Sequence, residues 1–166
     1  GLEITIQRII PSILEGVRET NTIIQNSAKA SLISLVPLIG PLLSLKHLVL
    51  PLLKNLWRPH CAALLSCLEG MTIHFSEAML TQVYIPILLE NISKSSELSN
   101  SKQYHVLLSS LILLESAVDL ISSTEIIRHV LGDHHRLFSS LLSPSTNILI
   151  FCQLLTLVVK MGREIG

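Results

Sequence analysis

Apolar positions along this chain recur with the 3.6-residue period of a helix almost everywhere, and no stretch shows the alternation of a strand. Ile6, Ile9, Ile10, Ile13, Leu14 and Val17 form one helical stripe. Thr20-Asn21-Thr22 has the capping chemistry of a helix start, which predicts a second helix from Thr22 to about Val36, ended or bent by Pro37. Leu38 to Trp57 predicts one or two helices bent at Pro41 and Pro51, and Arg58-Pro59 closes them. A short helix follows from His60 to about Met71, with Cys61, Leu64, Leu65 and Leu68 facing inward. Ser76 is a suitable N-cap for a helix running through Pro86 to Ile92.

Residues 93–102, almost all small and polar, offer little to bury, and this predicts a flexible loop. Its Ser95, Ser96, Ser99 and Ser101 are expected to be exposed hydroxyls beside lysines, open to phosphorylation. Gln103 to Ile121 is apolar nearly all round and reads as a central inner helix. Three further helices are expected: from Ser122 to Gly132, from His134 to Leu142, and from Thr146 to Met161 after a turn at Pro144-Ser145.

A longer recurrence overlies this pattern. The signature Pro-x-apolar-Leu-Glu-x-apolar, marking helices led by or containing a proline, occurs at Pro11 to Val17 and again at Pro86 to Ile92. A degraded copy, Pro51-Leu52-Leu53-Lys54-Asn55-Leu56, stands between them, and Glu125 falls where a fourth copy would begin. The prolines are 40 and then 35 positions apart, a spacing typical of stacked helical repeats. The pattern resembles the armadillo/HEAT class of repeats over essentially the whole chain. That resemblance implies an all-α fold of about eight antiparallel helices stacked as an irregular armadillo/HEAT-like solenoid. The expected domain is a single one, 1–166, as part of a longer protein. A compact helical bundle is the alternative.

Composition narrows the function. Hydrophobic residues make up 49% of the chain and charged residues 14%, against about 25% charged in ordinary soluble domains, so polar cover is scarce. The formal net charge is zero, which argues against a general polyanion binder. Charge is nevertheless uneven. No acidic residue lies between Glu19 and Glu69, whereas Lys29, Lys46, Lys54 and Arg58 do. This window, 20–68, carries a nucleic-acid-associated alternative, which the 4% aromatic content disfavours for single-strand stacking. The uncharged run Ala30 to Leu45 is too short for a membrane span and is interrupted by Pro37, Gly40 and Pro41. A membrane-associated domain using residues 30–45 is the other alternative. Three cysteines without a C-x-x-C pair favour reduced thiols and an intracellular, nuclear or cytoplasmic setting.

Residues able to do chemistry do not converge. His129, His134 and His135 lack zinc-ligand spacing, and Cys61 and Cys67 face different ways on a helix. Glu115 and Asp119 share a helix face but read as a solvent-facing stripe. Phosphate loops, nucleophile elbows and dinucleotide fingerprints are missing from the sequence. The expectation is a non-catalytic scaffold without cofactor or metal, offering a helical-repeat surface to a protein partner. Its binding patch is expected at Lys46, His47, Lys54, Trp57 and Arg58, because Trp and Arg dominate interface hot spots and the local positive charge suits an acidic or amphipathic helical segment. Any link to nucleic acid would be indirect. The same Trp57 could instead close the core between two repeats.

Overall fold

Three helix starts are fixed by side chains that satisfy otherwise unpaired amides. Asn21 Oδ1 accepts from the amides of Ile23 and Ile24 at 2.9 and 3.3 Å. Ser76 Oγ accepts from Met79 N at 3.3 Å, and Asn147 Oδ1 from Leu149 N at 2.9 Å. The structure, a computed structural model, describes residues 1–58, 62–143 and 146–166. Regular structure is all helical, 81% helix with no strand among the described residues, in nine helices. They are α1 (residues 2–16), α2 (Thr22–Ile39), α3 (Pro41–Leu53), α4 (Ala62–Thr72), α5 (residues 77–94), α6 (Asn100–Val118), α7 (residues 123–131), α8 (His135–Leu141) and α9 (Ile148–Ile165). The inward Cys61 and the turn at Pro144-Ser145 expected from the sequence lie outside the described residues.

The recurring prolines sit inside helices and do not start them. Pro11, Pro51 and Pro86 lie within α1, α3 and α5, each two residues after a five-residue π-helical turn: Thr5–Ile9, Leu45–Val49 and Leu80–Tyr84. The residues just before the prolines, Ile10, Leu50 and Ile85, donate to carbonyls five positions back, those of Thr5, Leu45 and Leu80. Proline has no amide hydrogen and its ring crowds the carbonyl four residues earlier. A widened turn just before it lets the helix continue. In α7 the wide turn Ile126–Leu131 ends at Gly132, which holds the register of the prolines and whose amide bonds Ile127 O at 2.9 Å. A Cβ at Gly132 would lie 2.6 Å from Arg128 O, so a side chain would collide with backbone.

The long loop expected at 93–102 is also corrected. Helix α5 runs to Lys94, a 3-10 turn covers Ser95–Glu97, and α6 begins at Asn100. Ser95 is 3% exposed, and its Oγ donates to Ile92 O at 2.7 Å. Leu98 N bonds Ser95 O and Gln103 N bonds Ser99 O. Local acceptors hold the polar segment, so its composition alone misread its structure. Ser96, Ser99 and Ser101 are exposed, as expected.

The chain falls into two compact units, Gly1–Phe75 and Ser76–Gly166, a finer division than one domain over 1–166. In the first unit, α2 packs on α1 and on α4. Lys29 Nζ donates to Ser66 Oγ at 3.4 Å, and a Cβ on Gly70 would lie 2.5 Å from Ile33 Cδ1. Both contacts rise together along α2 and α4, so these two helices run parallel. The hydrogen-bonded pair is 37 residues apart, about one recurrence of the proline signature.

The second unit repeats this logic. Helices α5 and α6 form an antiparallel pair joined by the short 95–99 connection. Helix α9 runs parallel to α6, with Gln153 Nε2 donating to Glu115 Oε2 and Lys160 reaching Asp119. Helix α7 lies beside α5 with its start at the same end, because Glu77 Oε2 accepts from Ser122 N at 2.7 Å. Leu111, Leu113, Leu114, Ala117 and Val118 of α6 are fully buried, so α6 is the inner helix of this unit.

Candidate partner-binding surface

The proposed patch begins on α3, where the π-helical turn carries Lys46 and His47 between buried Leu45, Leu48 and Val49. Lys46 is exposed and His47 half-buried. Leu52 and Leu53 close the helix against the core, and Lys54 caps it from outside. Asn55 then holds the turn, its Nδ2 donating to Pro51 O at 2.8 Å and its N to Leu52 O at 3.0 Å. Leu56 is buried and anchors this turn from below.

That anchoring leaves Trp57 exposed and Arg58 half-buried. Trp57 is 38% exposed. Arg58 Cζ lies 5.4 Å from the Trp57 ring centroid, a cation–π arrangement of about 0.5–1 kcal/mol at exposed sites. Arg58 Nε is buried without a hydrogen-bond partner among the described residues. The structure therefore joins Trp57 and Arg58. Lys46 and Lys54 are exposed on the same segment, and neither takes part in an ion pair among the described residues. His47 is half-buried between them in sequence.

Elsewhere the polar residues hold the fold. His129 Nε2 lies 2.8 Å from Glu125 Oε2 within α7, and His135 Nδ1 lies 3.2 Å from Gly132 O. Among the described residues no group of three or more His, Cys, Asp or Glu side chains is placed to hold a metal ion. Glu115 and Asp119, read from the sequence as a solvent stripe, are instead tied to α9 through Lys160 and Gln153. Sequence reasoning missed this tie because neither lysine spacing nor glutamine content announces a partner on another helix. Burial pushes the Cys67 thiol up to about 12, with Lys29 a smaller opposing influence, while Cys152 is exposed.

Comparison with known proteins adds one relative. No family model matches the chain, and no solved structure does. The chain is 28% identical over 166 residues, 98% of its length, to the "Probable inactive serine/threonine-protein kinase lvsG" of Dictyostelium discoideum. It spans about 8% of the length of that relative.

Proposed function

We propose that the protein is a non-catalytic interaction scaffold whose units are armadillo/HEAT-like helical pairs, and that it binds a partner through the Trp57–Arg58 patch. The repeat reading is supported by the parallel packing of α2 on α4 and of α6 on α9, with hydrogen-bonded residues 37 and 38 positions apart. Like helices of successive pairs lie side by side at one-repeat separations, the arrangement expected of stacked repeats. The proline-and-wide-turn device recurs in α1, α3 and α5, the first helices of the first three pairs.

The partner we infer is an acidic or amphipathic helix. The single observation that carries this is the half-open Trp57 with the Arg58 guanidinium over its ring, in a sequence window without one acidic residue. Such a pair offers apolar area, stacking and charge together. The relative is named as an inactive kinase, and the matched stretch bears no likeness to a kinase catalytic core. That core needs a strand-borne lysine and a glycine-rich loop; here there is no strand among the described residues and no such loop in the sequence. Free cysteines support an intracellular setting.

The test is titration calorimetry with a synthetic helical peptide carrying glutamates on one face and leucines on the other. Binding to the wild-type chain, weakened at least tenfold by Lys54→Glu with Arg58→Glu, is the expected result. Equal affinity of the folded double variant would remove this patch.

A further inference from the structure

The corner between α2 and α3 is unlike the other corners of this chain. Its sequence, Leu38-Ile39-Gly40-Pro41-Leu42-Leu43, has no polar side chain, whereas helix connections are normally polar. Leu38 is 79% exposed and Leu42 is 73% exposed, among the most open large apolar side chains in the molecule. The corner is also rigidly made. Gly40 takes a φ of 86°, which favours glycine, and its amide closes α2 on Val36 O at 2.9 Å. Its carbonyl accepts from both Ser44 N, at 3.0 Å, and Ser44 Oγ, at 2.7 Å, with Ser44 fully buried. Pro41 has no amide to satisfy. The tip therefore presents two leucines on a backbone whose central polar groups are already bonded.

Lys46 stands exposed just over one turn beyond Leu42, and residues 20–68, which include this corner, carry no acidic side chain. We propose that this corner docks on an anionic lipid surface, Leu38 and Leu42 entering the interface and Lys46 meeting the headgroups. Apolar anchors flanked by basic side chains are the usual means of peripheral attachment. A projecting corner suits a deformable surface better than a protein pocket, which would have to enclose it. Spanning is not implied: α2 is the one described helix long and apolar enough to cross a membrane, but Asn26, Ser27, Ser31 and Ser34 are exposed along it. This attachment shares Lys46 with the expected partner patch but does not depend on the Trp57–Arg58 reading.

Sedimentation with vesicles of phosphatidylcholine alone, or with about a third phosphatidylserine, tests the proposal. The wild-type chain should bind the anionic vesicles, and binding should fall as salt is raised. Leu38→Ser with Leu42→Ser should lower partitioning at least tenfold, and Lys46→Gln about fivefold. Ile23→Ser, at a side chain 75% exposed near the opposite end of α2, should leave it unchanged. All these positions are open to solvent, so the variants should keep the wild-type melting temperature. No binding to anionic vesicles would overturn the proposal. So would equal loss in the Ile23 variant, which marks indiscriminate adsorption. Binding of an acidic peptide at this corner without vesicle binding would identify the site as a protein contact and overturn the lipid assignment.

Discussion

Lys160 Nζ lies 2.6 Å from Asp119 Oδ2, binding α9 to the residue that ends α6. A carboxylate at a helix C-terminus is opposed by the helix dipole, and the lysine offsets that. The same ammonium is 3.7 Å from Glu115 Oε1, and both Lys160 and Glu115 are only about a quarter exposed. Lys160→Met is expected to destabilise the chain by about 1 kcal/mol. Urea unfolding in low salt and in about 1 M salt checks the origin, because the difference should shrink by at least half on screening. A salt-independent difference would assign the effect to packing.

Glu77 caps the start of a neighbouring helix through Ser122 N. Glu77→Ala should cost about 1 kcal/mol and should raise amide exchange at the first turn of α7. Unchanged exchange there would mean that the bond is dispensable.

Leu111 and Leu114 are fully buried at the centre of α6. Leu111→Ala should cost about 2–5 kcal/mol, transfer and cavity effects together. A melting temperature equal to wild type would show that α6 is not the inner helix.

Cys67 provides a pH test. Its thiol is pushed from an ordinary 9.0 to about 12 by burial, so the folded state holds the proton more tightly than the unfolded state. Its contribution to stability is therefore complete below pH 9 and is lost as pH rises from about 9 to about 12. At pH 8 an alkylating agent should label the exposed Cys152 and spare Cys67 until the chain unfolds. Mass spectrometry of the Cys67 peptide checks this, and rapid native labelling would contradict the burial.

The helical class and the caps at Asn21 and Ser76 were legible because periodicity and capping are local properties of the chain. The wide turns were not. Proline suits a helix start as well as a tolerated interior, and only the preceding hydrogen-bond shift at Ile10, Leu50 and Ile85 distinguishes them. The segment at 93–102 misled because serine hydroxyls can satisfy a buried backbone, as Ser95 does. Trp57 and Arg58 could be named from residue type, and the structure pairs them. Bonds such as Glu77 to Ser122, 45 residues apart, depend on the fold and leave no mark in sequence.

Docking of an acidic helix on the Trp57–Arg58 patch can be read from Trp57 fluorescence, because this is the only tryptophan in the chain. Titration with the glutamate- and leucine-faced peptide should give a saturable change in Trp57 emission as the ring leaves water. That change should vanish with Lys54→Glu and Arg58→Glu in a chain of unaltered stability. Emission unmoved at peptide concentrations that saturate calorimetric binding would place the partner away from Trp57.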